Sequence, residues 1–243
     1  MRNRLLWGCP IKLSEATILV VDDEPALRDI LAKWLRLIGC GKVLVAADGR
    51  AALAVLKEES VHLLITDVRM PVMDGVGLVR GLAQLERPIP SIVFVSGFGD
   101  VDRMEMYGLG VEAFISKPFD RSELLGVLER AVAKRSSLWL TPMTIAPRQT
   151  VSIGGGEAGS EPIRLGRGGF SARYHGLVSL SKVSFRCDFG AHHRPMSGEG
   201  FVRWTAREAQ TIGVEFSFVD PECRSWLLEE IAASDSRSFI PEY

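Results

Sequence analysis

Four short apolar runs in the first half of this chain each end on a residue suited to charge chemistry. No other feature constrains the fold as much. Ile18-Leu19-Val20-Val21 ends in Asp22-Asp23, and Leu63-Leu64-Ile65-Thr66 ends in Asp67. Ile92-Val93-Phe94-Val95 ends in Ser96-Gly97, and Ala113-Phe114-Ile115 leads to Lys117-Pro118. Helical patterns separate these strand-like runs. Pro25 to Ile38 carries Leu27, Ile30, Leu31, Trp34, Leu35 and Ile38 at helical spacing, with Pro25 suited to the first turn and Gly39 to the stop. Gly49 to Glu58, Val76 to Leu85, Val101 to Tyr107 and Arg121 to Ser136 follow, with Lys42 to Ala46 as a further strand. This alternation predicts an α/β fold, a doubly wound parallel sheet of five strands and five helices. In such a sheet the carboxyl ends of the strands share one edge, where ligands bind. Acids, a hydroxyl and an amine should therefore meet in one cleft.

Three packed carboxylates repel one another unless a cation sits among them. A hard divalent ion with oxygen ligands suits that set, and Mg²⁺ is the usual choice where phosphate is involved. Lys117 adds a positive charge for a phosphoryl oxygen, and Ser96 adds a hydroxyl donor. Asp67 then suits the role of an aspartyl nucleophile, with catalysis resting on positioning and charge neutralisation. Asp74, in the turn Met70-Pro71-Val72-Met73-Asp74-Gly75, reads instead as a helix cap.

This constellation resembles the receiver domain of two-component response regulators, over roughly Thr17 to Arg135. The resemblance implies a flavodoxin-like fold with Asp67 as phosphoacceptor. It implies Mg²⁺ held by Asp23, Asp67 and the backbone carbonyl of Arg69, with Asp22 helping through water or a shared ligand position. Ser96 and Phe114 match its switch positions, and Lys117 matches its phosphate-sensing lysine. Pro118 matches a cis proline. A histidine kinase or phosphotransfer protein is the implied partner, and a homodimer through the receiver face is a further expectation.

Length allows one or two domains in these 243 residues. A net charge of −1 gives no electrostatic case for nonspecific nucleic-acid or membrane binding, so no DNA partner is expected. Cys9, Cys40, Cys187 and Cys223 are scattered without a Cys-x-x-Cys spacing, which argues for free thiols in a reducing, cytoplasmic compartment. No run reaches the roughly 18 apolar residues of a membrane span. Residues 1–16 read as a loose arm ahead of a receiver domain at 17–136.

Composition shifts near Ser136, where glycine and short β-like runs take over. The last receiver helix runs almost directly into Leu138-Trp139-Leu140, a stiff junction. A loop is expected from Ser152 to Pro162. Strands are expected at Phe170 to Tyr174, Ser184 to Asp188, Gly200 to Trp204 and Thr211 to Phe218, then a helix from Glu222 to Ala233 with Trp226, Leu227 and Ile231 on one face. Short strands separated by turn residues suggest a small β-barrel domain with a closing helix over 138–243. The stretches Arg164-Leu165-Gly166-Arg167-Gly168-Gly169-Phe170 and Gly198-Glu199-Gly200-Phe201-Val202-Arg203-Trp204, with Ile212-Gly213-Val214-Glu215-Phe216 after them, resemble a PilZ domain. Many members of that family bind cyclic di-GMP through an Arg-x-x-x-Arg stretch and an Asp/Asn-x-Ser-x-x-Gly turn.

Most of those ligand residues are missing here. The first stretch falls on Thr144 to Arg148, where only Arg148 matches. The turn falls on Arg164 to Gly169, where only Gly169 matches. An arginine at 164 cannot accept a hydrogen bond from a guanine edge. Several lost charge-assisted bonds, at roughly 1.5–3 kcal/mol each, would remove a micromolar site worth about 8 kcal/mol. Arg148, Arg164 and Arg167, with Gly169, remain candidates for an unorthodox anion or nucleotide site. His192-His193 is a weak metal candidate, because adjacent side chains in an extended loop diverge.

The sequence thus points to a phosphorelay response regulator, a phosphoacceptor protein rather than a turnover enzyme, whose second domain works through protein contacts. The alternatives are a dual-input cyclic di-GMP receptor and a nucleic-acid-binding output.

Overall fold

The computed structural model describes residues 11–85, 88–97, 102–133, 135–144, 147, 149–154, 163–189, 195–233 and 237–243. Arg148, Cys9, His192 and His193 lie outside the described residues, so those candidates have no placement here. The chain divides into two compact units.

The first unit holds β1 (Thr17–Val21), α1 (Pro25–Ile38), β2 (Lys42–Ala46), α2 (Gly49–Glu58), β3 (Leu63–Asp67), α3 (Gly75–Leu82), β4 (Ser91–Ser96), β5 (Ala113–Ser116) and α5 (Arg121–Val132); α4 (Arg103–Gly108), which follows β4 in the chain, falls in the second unit. The five strands are all parallel in the order β2-β1-β3-β4-β5, the flavodoxin-like arrangement. Alternation along each strand divides the core. Ile18, Val20, Leu63, Ile65, Val93, Val95 and Ile115 pack with Leu31 and Leu35 of α1 and with Leu124, Leu128 and Ala131 of α5. Helix ends follow local chemistry. Gly39 closes α1 in the left-handed region at φ 90°, and Asp48 and Asp120 cap α2 and α5 by accepting from Ala51 N and Glu123 N.

Residues 11–16 are less loose than expected. Leu13–Glu15 form a 3₁₀ turn, Ala16 is fully buried, and Ile11 and Leu13 pack against the core. The expected continuous helix from Arg121 to Ser136 is broken. Ala133 is extended at ψ 150°, and α6 (Arg135–Leu138) starts anew.

The second unit joins Asp102–Gly110 to Arg135–Tyr243. Its sheet contains β6 (Gln149–Ile153), β7 (Arg164–Leu165), β8 (Gly169–Arg173), β9 (Lys182–Cys187), β10 (Met196–Ala206) and β11 (Thr211–Val219), followed by α7 (Pro221–Ala233). Strand order is β6-β9-β10-β11-β8-β7, mixed because β6 runs parallel to β9 while the other pairs are antiparallel. The order is that of an open sheet with β6 and β7 as its ends, and the expected barrel closure is not seen among the described residues. Ser152 and Ile153, expected to open a loop, instead finish β6. Their strand is paired through Val151 with Phe185 and through Ile153 with Cys187. One face of the sheet carries the core, in which Phe170, Phe185 and Phe216 meet with ring centroids 5.2–5.8 Å apart and Trp139 packs edge-on to Phe216.

Candidate functional site: an acidic cleft at the strand ends

The parallel register of β1 and β3 pairs Val21 with Thr66, so Asp22 and Asp67 emerge side by side at the carboxyl edge. Asp22, Asp23 and Asp67 each bring a carboxylate oxygen within 4.8 Å of the others. Asp22 is buried, Asp67 is half-buried and Asp23 is exposed, so the cluster opens to solvent on one side.

Lys117 follows β5 and closes the set. Its ammonium donates to Asp22 Oδ2 at 3.2 Å and to Asp67 Oδ2. Burial pushes the Asp22 carboxyl up, and the backbone bond from Glu24 and the Lys117 charge only partly oppose it. Burial pulls Lys117 down most strongly of any single cause, but Asp67 and Asp22 together outweigh it and the lysine is held above its ordinary value. The cleft therefore carries more negative charge than one lysine neutralises, and its most buried carboxylate is the least comfortable. That is the electrostatic signature of a site that gains from a cation.

Supporting contacts fix the carboxylates. Glu24 N donates to Asp22 Oδ1 at 2.8 Å, and Arg28 Nη1 donates to the Asp22 carbonyl at 2.6 Å. Arg69 N donates to Asp67 Oδ1 at 3.2 Å. Sequence reasoning missed Glu24 and Arg28. The signal for Glu24 was its position two residues beyond Asp22, at the start of α1, where N–H groups lack helical partners; Arg28 acts through its guanidinium and carried no such signal. Sequence reasoning also missed Gly75, whose absent side chain lets the turn after Asp67 close. A Cβ there would strike the Asp67 carbonyl oxygen, and Gly75 N donates to Val68 O at 2.9 Å. Val72 sits at φ 68° in the same turn, a conformation a β-branched residue rarely adopts.

Ser96 ends β4, is buried, and donates from Oγ to the Gly97 carbonyl at 2.9 Å. Phe114 pairs with Phe94 across β4 and β5, their rings edge-on at 5.9 Å. The Lys117–Pro118 bond is cis. Asp74 stands apart from the cluster in role, accepting from Gly77 N as the cap of α3.

The arginines of the second unit are placed differently from any open anion site. Arg167 is buried and donates to the carbonyls of Gly110 at 2.7 Å and Arg237 at 3.3 Å. Arg164 is exposed and stacks on Tyr243. Gly169 N–H and Cα belong to β8, where a Cβ would strike the Val214 carbonyl. The Gly168–Gly169 pair thus shapes strand packing.

Residues 18–129 match the family described as "Response regulator receiver domain". A protein described as "Probable transcriptional regulator ycf27", from Cyanophora paradoxa, is 40% identical over 115 residues, covering 47% of each chain. The "Transcriptional regulatory protein FixJ" of Rhizobium meliloti is 38% identical over 120 residues, covering 49% of this chain and 58% of that one. This chain spans about half the length of the curated relatives it matches first. Among solved structures, the chemotaxis response regulator CheY4 of Vibrio cholerae is 30% identical, with 48% of this chain and 98% of that chain covered at a TM-score of 0.44.

Proposed function

Residues 18–129 form a response regulator receiver domain, and from that premise we propose that this chain is a phosphorelay response regulator with Asp67 as its phosphoacceptor. One observation carries the assignment: Lys117 is tied to Asp67 and Asp22 while Asp23 shares their cluster. In the reaction a carboxylate oxygen of Asp67 attacks the phosphorus of a phosphohistidine or a small acyl phosphate. The new P–O bond forms as the bond to the donor breaks, and the donor leaves with that electron pair. The product is an acyl phosphate on Asp67. The transferred group carries its charge on equatorial oxygens, and Lys117 and the Ser96 hydroxyl supply donors for them.

A divalent ion fits the donor set, which is all oxygen and carries excess negative charge. Asp22, Asp23, Asp67 and the Arg69 carbonyl would hold Mg²⁺, which would neutralise charge on the phosphoryl oxygens. The chain is then a phosphoacceptor protein, not a turnover enzyme. Its upstream partner is a histidine kinase or phosphotransfer protein in the cytoplasm. No helix among the described residues is long and apolar enough to cross a membrane. The test is a Phos-tag mobility shift with acetyl phosphate and Mg²⁺. It is expected in wild type and absent in Asp67→Ala, and persistence in the variant would remove Asp67 from the role.

For the second unit we propose a PilZ-like output that works by protein contact. Support comes from its antiparallel β8–β11 core with a closing helix, and from the arginines of the 164–169 turn being engaged within the unit. A cyclic di-GMP receptor predicts calorimetric binding below about 10 µM that disappears in Arg148→Ala. The relatives' description as transcriptional regulators raises a nucleic-acid output as the alternative, and a salt-dependent gel shift with random duplex DNA would establish it.

A further inference from the structure

Helix α4 has six residues, Arg103–Gly108, and stands in the chain between β4 and β5. A helix so short gains little from its own backbone bonds, because isolated helices below roughly 12–15 residues are marginal in water. Its N-terminus is capped by Asp102, whose carboxylate accepts from Met104 N at 2.8 Å. Its C-terminus turns at Gly110, which lies in the left-handed region at φ 100°. A helix end leaves its last carbonyls without helical donors. Here donors come from far along the chain. Phe239 N donates to Tyr107 O at 3.0 Å, Ser238 Oγ to Gly108 O at 2.8 Å, and Arg167 Nη2 to Gly110 O at 2.7 Å.

Packing fixes these donors in place. Phe239 is buried and stacks on the buried Tyr107, with ring centroids 6.1 Å apart. The Arg167 guanidinium lies 5.3 Å from the Phe239 centroid, within cation–π range, and its Nε donates to Arg237 O at 3.3 Å. Arg167 N and Gly168 N donate to Ser238 O and Phe239 O, both at 2.9 Å, so the arginine and the tail segment hold one another. A guanidinium at a helix C-terminus also faces the negative end of the helix dipole. There is little slack. A Cβ at Gly110 would meet Arg237 O at 2.7 Å, and one at Gly108 would meet the Glu242 side chain at 2.9 Å. These residues all belong to the second unit, α4 included.

The stretch of chain that contains α4 starts at Gly97, and it is tied there too. Ser96 Oγ donates to the Gly97 carbonyl at 2.9 Å. One hydroxyl proton cannot serve that carbonyl and a phosphoryl oxygen at once. Ser96 therefore has to release the Gly97 carbonyl before it can act as a donor to a phosphoryl group on Asp67. The stretch from Gly97 to Glu112 is thus bonded at its start to Ser96 and near its end to Arg167, and β5 with Phe114 follows it directly.

We propose that Arg167, Ser238 and Phe239 form a clamp on the end of α4 that restrains phosphotransfer at Asp67. The clamp fixes the arrangement in which the Ser96 hydroxyl is engaged on the Gly97 carbonyl. Loosening it lets the stretch shift and releases that hydroxyl for the phosphoryl group. The coupling is reciprocal: a group bound in the cleft that draws Ser96 away also loosens the end of α4. The second unit thereby restrains the receiver and senses whether its cleft is filled. The restraint rests on the reading of Asp67 as phosphoacceptor, whereas the capping of α4 stands without it.

The test uses the full chain and reads amide exchange in α4 beside the phosphorylation rate. Ser238→Ala removes one donor, and Arg167→Gln removes the cation. Leu109 N and Gly110 N close the last turn on Glu105 O and Tyr107 O. Both variants are expected to quicken exchange at these two amides by about tenfold or more, with the amides of β1 and β3 unchanged. Both should raise the rate of phosphorylation by acetyl phosphate and Mg²⁺ about fivefold, the lower end of usual coupling, where a merely structural loss would slow it. Ser238→Thr keeps the hydroxyl and should restore wild-type values. Arg164→Gln, at a side chain that stacks on Tyr243, should change neither readout. Beryllofluoride with MgCl₂, as a phosphoryl mimic, should quicken the same two amides in wild type and leave them alone in Asp67→Ala. A folded Ser238→Ala with wild-type exchange in α4 overturns the clamp. Faster exchange with unchanged or slower phosphorylation overturns the restraint and leaves a structural cap. Should wild type accept no phosphoryl group while the two variants still loosen α4, the phosphoacceptor reading fails and takes the restraint with it, and the cap alone stands.

Discussion

The Lys117 ammonium is hydrogen-bonded to the Asp67 carboxylate, and the two residues come from strands that are not neighbours in the sheet. Lys117 follows β5 and Asp67 ends β3, with β4 between them. The lysine spans that gap and also contacts Asp22 beyond β3, on β1's side. In the resting protein it is therefore the cation of the acidic cluster.

A divalent ion must compete with that lysine for the same oxygens, which sets the first prediction. In Lys117→Ala the carboxylates lose their counter-charge, the folded protein weakens, and Mg²⁺ should bind more tightly. At tenfold excess over its dissociation constant a ligand specific to the folded state adds about 1.4 kcal/mol. Thermal melts with and without MgCl₂ at one fixed concentration, about tenfold the wild-type dissociation constant, should show a larger rise in Lys117→Ala than in wild type, and a smaller one in Asp23→Asn. Equal rises in all three proteins would mean that the ion does not bind at this cluster.

Asp67 ends β3 and Asp74 caps α3 across the intervening turn, and substitution separates the proposed phosphoacceptor from the cap. Asp74 accepts from Gly77 N at 2.6 Å and caps α3. Asp74→Ala should cost about 1 kcal/mol of stability, as for other N-caps, and Asp74→Ser should recover most of it. Neither change should abolish phosphorylation, whereas Asp67→Ala should. Urea unfolding and the mobility-shift assay together check this; a loss of phosphorylation in a folded Asp74→Ser would put Asp74 in the site.

The sequence made the first sheet legible because its strands are buried on both faces and read as unbroken apolar runs. Ile18 to Val21 and Leu63 to Ile65 are all buried. The first of the helices between them had clear ends at Pro25 and Gly39. The acidic cluster followed from topology alone, since parallel strands must present Asp22 and Asp67 at one edge. The second sheet was harder. β6 pairs parallel to β9, a non-local contact with no local signature, so Ser152-Ile153 read as the start of a glycine loop. Arg167 read as a candidate anion ligand, yet its partners include carbonyls 57 and 70 residues away, at Gly110 and Arg237. The contacts of Arg237–Tyr243 had no sequence signal, because nothing in Phe239-Ile240-Pro241 marks what it packs against.

Asp120 gives the fold a pH dependence of known sign. Its carboxyl is held below the ordinary carboxylate value by the Ser122 hydroxyl and then by the Glu123 backbone N–H. A folded value below the unfolded one means that the unfolded state binds the proton more readily. The cap's contribution is therefore present above the unfolded value, near 3.8, and is lost as pH falls through the lower folded value. Asp120→Asn keeps an acceptor for Glu123 N without the titration. Melts between pH 7 and pH 3 should show a steeper acid loss in wild type than in Asp120→Asn; parallel curves would remove Asp120 from the acid response.

Gly75 is expected to link stability to the proposed phosphotransfer at Asp67 through one contact. It is the first residue of α3, directly after the Asp74 cap. An added Cβ would strike the Asp67 carbonyl oxygen and stand 3.2 Å from the Phe94 ring. Phe94 is fully buried in β4, so it cannot yield easily, and the relief must come from the Asp67 backbone. Overpacking of this kind costs roughly 1–3 kcal/mol. A shift of Asp67 also moves its carboxylate relative to Lys117 and Asp23, and in-line attack tolerates little misplacement. Gly75→Ala should therefore lower both the unfolding midpoint and the rate of phosphorylation by acetyl phosphate, the rate by tenfold or more on this positioning argument. Gly126, on the other hand, has open space where a Cβ would go. Gly126→Ala in the interior of α5 should raise stability by about 0.5–1 kcal/mol and leave the rate alone. If Gly75→Ala phosphorylates at the wild-type rate while the melt falls, the turn supports the fold but does not aim Asp67.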